Sequence, residues 1–194
     1  MTSIEEFRAD RIGQPDGLMI VDRVLEGVDF SGLRIDYFSI RNSTLRGCDF
    51  HKIRIQSAVW GGGGPAVFED CVFDGARIMF NVDVRAVFHN CSFRDVVLSR
   101  WGFREIELVG CTFTGRLRDC IFNGRSSYEP DAPANTILDN DFSGAEFITY
   151  ELDADQQGTW RSGGGSIMVG GGGGKNGRME TQAPQNIKSQ PMFW

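Results

Sequence analysis

The side chains in this sequence best suited to chemistry are two histidines, five cysteines and two close carboxylate pairs. His51 and His89 each directly follow a large apolar residue, and neither stands at a spacing that metal coordination uses. Cys48, Cys71, Cys91, Cys111 and Cys120 each lie two positions before a Phe. A placement repeated five times suits small buried hydrophobes better than nucleophiles or ligands. Asp139 with Asp141, and Glu105 with Glu107, offer the paired carboxylates of general acid–base catalysis. Such pairs need a cleft, and a filled repeat core leaves none. The glycine runs lead into no helical pattern, so no phosphate-binding loop is indicated. The chain reads as non-enzymatic, without cofactor or metal.

What positions these residues is a period of five. Ile20, Leu25, Phe30, Ile35, Ile40, Leu45, Phe50, Ile55 and Trp60 stand in unbroken register. A second run gives Phe68, Phe73, Ile78, Phe88, Phe93, Leu98, Phe103, Leu108 and Phe113, with only Asp83 out of character in its slot. Two positions before each lies a second inward candidate: Leu18, Arg23, Val28, Leu33, Phe38, Ser43, Cys48, Ile53 and Ala58, then Ala66, Cys71, Ala76, Asn81, Ala86, Cys91, Val96, Trp101, Ile106 and Cys111. Side chains two apart share one face of an extended segment. Each unit is therefore a short extended side followed by a turn, and it buries its apolar pair only if coils stack on it.

Segments such as Asp29-Phe30-Ser31-Gly32-Leu33, Val72-Phe73-Asp74-Gly75-Ala76 and Asp141-Phe142-Ser143-Gly144-Ala145 resemble the pentapeptide-repeat family. The resemblance covers Leu18 to Leu152 and implies an all-β fold, a right-handed quadrilateral β-helix with four units to the coil. Residues twenty apart should then stack, as Cys71, Cys91 and Cys111 and also Phe73, Phe93 and Phe113 are spaced to do. At ~4.8 Å per coil, about six coils make a rod on the order of 25 to 30 Å long. The expected organisation is an N-terminal cap (1–17), the β-helix (18–160) and a Gly-rich linker and tail (161–194).

Three breaks interrupt the register. Gly61-Gly62-Gly63-Gly64-Pro65 shifts it by three residues and reads as a corner loop. One residue is missing between Phe113 and Phe122, which leaves Leu117 as a displaced inward candidate. A loop near Arg125–Asn135 contains Pro130 and Pro133, after which Leu138, Phe142, Phe147 and Leu152 resume the pattern. At the start, Ser3-Ile4-Glu5-Glu6 is a capping box ahead of Phe7, which predicts a short helix laying Ile4 and Phe7 over the first coil. Tyr150, Leu152 and Trp160 form a C-terminal cap or a subunit contact. Beyond them lies a glycine-rich tail ending Met192-Phe193-Trp194, which reads as mobile or foreign to the native chain, or else as a docking peptide.

Function is expected to be binding, with a protein partner and the chain a monomer or homodimer. The leading candidate patch is Met79, Phe80, Val82, Val84 and Val87, apolar residues at outward or corner positions. The alternative is a bulge that turns Phe80 or Val82 inward and Asp83 out. A second candidate is the acidic run Glu129, Asp131, Asp139, Asp141, Glu146, Glu151, Asp153 and Asp155, which contains no Lys or Arg. Through the family resemblance it implies a DNA mimic directed at DNA gyrase or another DNA-binding protein, with quinolone or toxin protection. Net charge is −6, and Arg34, Arg41, Arg46, Lys52 and Arg54 interrupt the acidity of the first coils. A structural spacer or spike is a third possibility. No basic stripe with interleaved aromatics is visible along the chain, which argues against direct nucleic-acid binding. No membrane span or signal segment is visible, and with an odd cysteine count this favours the cytoplasm. Trp101, a large indole in a small slot, either widens its coil or emerges at the surface.

Overall fold

The computed structural model describes residues 4–8, 16–83, 85–103, 106–122, 136–152, 158–162 and 166–169. Its strands form a parallel β-solenoid of about five turns, one fewer than the sequence suggests. The coil has four sides. Side one stacks Leu18 on Phe38, Ala58, Asn81, Trp101 and Cys120. Side two stacks Leu25 on Leu45, Phe68, Phe88, Leu108 and Ile137. Side three runs through Asp29, Asp49, Val72, Ser92, Thr112 and Asp141. Side four stacks Ile35 on Ile55, Ile78, Leu98, Leu117 and Phe147. This is the coil that the pentapeptide-repeat resemblance implies.

Stacking at the strand spacing dictates the core. Phe30, Phe50, Phe73, Phe93, Phe113 and Phe142 form one column on side three, with ring centroids 4.8, 4.6, 4.7, 4.6 and 4.5 Å apart and interplanar angles of 8° or less. These separations match the ~4.8 Å between strands, so the rings stack without strand displacement. Phe68 and Phe88 stack likewise on side two, at 4.6 Å. Trp101 is buried at 1 % exposure, edge-on to Trp60 at 5.7 Å and to Phe93 at 5.9 Å. It fits because Ala58 and Asn81 precede it in its column, so small residues leave volume for the indole.

The corners follow from local chemistry. In Asp29-Phe30-Ser31, Asp49-Phe50-His51 and Asp141-Phe142-Ser143, the Asp carboxylate accepts the backbone N–H two residues on, at 2.8, 2.8 and 2.9 Å. This Asx turn bends the chain from side three to side four. The Ser31 hydroxyl and backbone N–H hold the Asp29 carboxyl below its ordinary value. The glycine-rich loop lies where the register shifts: Asn42 donates its N–H to the Gly64 carbonyl, and Ser43 pairs with Ala66 rather than with a residue twenty on. The missing residue lies between Phe113 and Gly115, opposite Phe93 to Val96. Gly115 has φ 99°, and a Cβ there would run into the Val96 carbonyl oxygen, so the shortened corner needs glycine. Leu117, displaced by this deletion, is fully buried as expected.

A single 3-10 turn, Ile4–Phe7, covers the first coil, with Phe7 buried 6.5 Å from Phe30 and Ile4 partly buried. At the other end Gly158–Ser162 adds a parallel strand to Thr136–Leu152, and Ser166–Val169 pairs with it antiparallel. The strand Gly158–Ser162 thus runs across the boundary expected at residue 161.

Two inward assignments change, and a polar residue fills one further inward slot. Leu138 is exposed at 43 %, and Ile137 takes the buried slot opposite Leu108. Counting back five from Phe142 reaches Ile137, so the period holds where hydrophobicity alone misleads. Arg23 is exposed because its slot lies at the open end of the rod, and its guanidinium donates to the Asp22 carbonyl. Asn140, two residues before Phe142, occupies the slot above Cys111. It accepts the Cys111 N–H at 2.8 Å and donates to the Leu108 carbonyl at 2.9 Å, which satisfies a buried amide.

Candidate interaction surfaces

Met79 and Phe80 turn the chain from side four to side one. Ile78 points inward and Asn81 resumes the core, while Met79 is 37 % and Phe80 42 % exposed. Their backbone stays in the ladder: the Met79 N–H donates to the Ile55 carbonyl at 3.0 Å and the Phe80 carbonyl accepts the Ala58 N–H at 2.8 Å. Asp83 keeps register opposite Trp60, so the coil does not bulge and Phe80 is not turned in. The other expected members separate from these two. Val82 lies on side one between Val59 and Gly102, Val87 is half-buried on side two, and Val84 falls outside the described residues.

The acidic set is distributed differently from a face along the rod. Exposed Asp139 lies at the corner leading to side three, half-buried Asp141 on side three, and exposed Glu146 on side four opposite Arg116. They ring the last coil. Glu151 holds a strand position opposite Ile121, and Glu129, Asp131, Asp153 and Asp155 lie outside the described residues.

His51 and His89 point outward, each beside a carboxylate, on different sides. His51 Nδ1 lies 3.2 Å from the Asp49 carboxylate, and His89 Nε2 lies 2.6 Å from Glu107. No group of three or more potential metal ligands occurs among the described residues. Cys48, Cys71, Cys91 and Cys111 share one column, and all five thiols are free and buried. Their Sγ atoms donate to carbonyls of their own and the preceding coil, as Cys71 does to Leu45 at 3.3 Å and to Glu69 at 3.4 Å. The Cys71 thiol and burial push Cys48 up, and burial pushes Cys120 up to about 12. Inaccessible thiols of this kind are poor nucleophiles.

One set of surface residues escapes a linear reading. On side four Arg34, Arg54, Arg77, Val97 and Arg116 occupy successive outward positions of one column. The four arginines are exposed, and they are separated in sequence by other residues and by the glycine-rich loop. The signal that could have found them is the coil period, since Arg34 and Arg54 are twenty apart and Arg77 follows once the three-residue slip is counted.

Among solved structures, the chain is similar to trypsin-treated QnrB1, a plasmid-mediated fluoroquinolone resistance protein, at 14 % identity and TM-score 0.27, over 71 % of this chain and 90 % of that one. It is also similar to a pentapeptide repeat protein, Rfr23, from the cyanobacterium Cyanothece 51142, at 10 % identity and TM-score 0.18, over 74 % and 91 % of the two chains. No family model matches, and no curated protein matches. The fold assignment rests on this chain's own register.

Proposed function

We propose that this four-sided solenoid, built on the pentapeptide period, is a non-catalytic protein-interaction module with a contact surface centred on Met79 and Phe80. The observation that carries the reading is the exposure of an aromatic and a thioether side by side, on a corner whose flanking coils carry Gln56 and Ser57 on one side and Ser99 and Arg100 on the other. Their backbones are fixed by ladder hydrogen bonds, so a partner meets a preorganised surface and little ordering entropy opposes binding. A reducing compartment, the cytoplasm, is part of this reading, and five free, buried thiols are compatible with it. The test is Phe80→Asp, read by solution mass from light scattering and by quantitative comparison of partners retained by wild type and variant. Loss of self-association or of a partner supports the reading; no change in either refutes it.

A second reading, a DNA mimic acting on gyrase, draws on the acids that ring the last coil. A mimic needs a continuous acidic face, whereas side two alternates Glu26, Arg46 and Glu69, and side four carries the arginine column. Titration of the protein into a gyrase supercoiling assay, with and without a quinolone, decides this reading. Inhibition or protection establishes it, and neither removes it.

A further inference from the structure

We propose that side four is a docking stripe for an extended acidic peptide segment of a partner protein, read by Arg34, Arg54, Arg77 and Arg116. The proposal rests on the interaction-module reading and specifies the partner's chemistry. Successive coils place Arg34, Arg54 and Arg77 directly above one another, with Arg116 beyond Val97. At ~4.8 Å between strands, like charges on facing positions repel and destabilise the sheet. Among the described residues none of the four has a salt bridge or a side-chain hydrogen bond.

Side two shows the same architecture solving the same problem internally. There Arg46 lies between Glu26 and Glu69 in one outward column, at 3.6 Å and 2.6 Å from their carboxylates. Beside side four, Arg94 is likewise near Asp74, at 3.7 Å. Arg23, Arg41, Arg100 and Arg118 also lack an ion pair among the described residues, but only side four stacks such arginines on successive coils, where an external counter-charge would relieve their repulsion.

Guanidinium groups take carboxylates or phosphates in bidentate fashion, so charge alone leaves two ligand classes. The surroundings choose between them. The stripe is short and bordered by acids: Asp36 lies two residues past Arg34, Asp95 lies two before Val97, and Glu146 faces Arg116. A phosphodiester chain running past the stripe would meet these carboxylates with every added nucleotide. A peptide places carboxylates only where its sequence does. Its same-face side chains recur at ~6.7 Å, within the reach of flexible guanidiniums on adjacent rungs. Exposed Met79, two residues past Arg77, supplies a seat for an apolar side chain within such a segment.

The test uses the whole 194-residue chain and a fluorescein-labelled decapeptide in which glutamates alternate with serines about one central leucine, with binding followed by anisotropy at low ionic strength. A labelled thymidine decamer is the comparison. Expected is saturable, salt-sensitive peptide binding that Arg54→Glu/Arg77→Glu weakens roughly ten-fold or more, because each reversal replaces attraction by repulsion. Arg46→Glu should change it less than about two-fold, because that column is already neutralised. The milder Arg54→Gln/Arg77→Gln pair, checked for an unchanged melting temperature, separates loss of charge from loss of fold. No peptide binding, or equal binding by the glutamine pair, overturns the stripe. Tighter binding of the oligonucleotide with the same arginine dependence overturns the acidic-peptide assignment. Failure here with a partner still lost in Phe80→Asp leaves the interaction-module reading intact, so the two failures are distinguishable.

Discussion

Truncation of Phe73 tests the aromatic column where it is most crowded. The ring is fully buried, stacked at 4.6 Å on Phe50 and 4.7 Å on Phe93, and edge-on to Phe68 at 5.6 Å and Phe88 at 6.1 Å. Removing it forfeits about 2 to 3 kcal/mol of burial. Two stacked partners add roughly 0.5 kcal/mol each beyond area. The void cannot collapse easily, because the Phe73 N–H to Ser92 carbonyl bond at 2.7 Å and its counterpart between Phe50 and Val72 hold the strands at fixed spacing. The expected cost of Phe73→Ala is about 4 kcal/mol. Phe30→Ala, at the end of the column with one stacked neighbour at 4.8 Å and tilted Phe7 at 6.5 Å, should cost about 1 kcal/mol less. Urea unfolding, followed by far-ultraviolet circular dichroism and tryptophan fluorescence with coincident transitions, measures both. For a slope of about 2 kcal/mol per molar, the Phe73→Ala midpoint falls by about 2 M. Phe73→Leu, which keeps most of the volume, serves as the folded control. A Phe73→Ala cost below about 1.5 kcal/mol, or no greater than that of Phe30→Ala, refutes the column as the main source of cohesion.

Gly115→Ala should lower stability by about 2 kcal/mol or more, whereas Gly27→Ala, with φ 61° and open space around its Cβ position, should lose only about 1 kcal/mol. Equal losses in thermal melts would dismiss the Val96 clash. The five cysteines should be silent toward a disulfide reagent at pH 8 in the native protein and all react in denaturant; a rapidly reacting native thiol contradicts their burial. Asp29 has its carboxyl pKa depressed below 3.8 by Ser31, so its contribution is present above the unfolded value and is lost as pH falls through the folded one. The stability gap between wild type and Asp29→Asn should therefore be open at pH 6 and closed near pH 2, and a gap independent of pH would exclude the carboxylate as its origin.

The five-residue period determines most of this fold because each unit is one side plus one turn, and a solenoid asks little beyond that local rule. It predicts the twenty-residue stacking of Cys71, Cys91 and Cys111, the corner loop at Gly61–Pro65 and the inward Leu117, while the capping box ahead of Phe7 predicts the N-terminal turn. It also decides Ile137 over Leu138, provided the count is trusted above hydrophobicity. Surface identity is another matter. Neighbours on the rod are between nineteen and thirty residues apart, so a patch or stripe is assembled across coils and each slip re-registers everything after it. The tertiary structure alone places Phe80 outward, separates Val87 from Met79, scatters the acidic run around one coil and brings four distant arginines into a single column. Inward positions are fixed by a local period that buries apolar area coil by coil, while outward positions acquire their neighbours only when the coils stack.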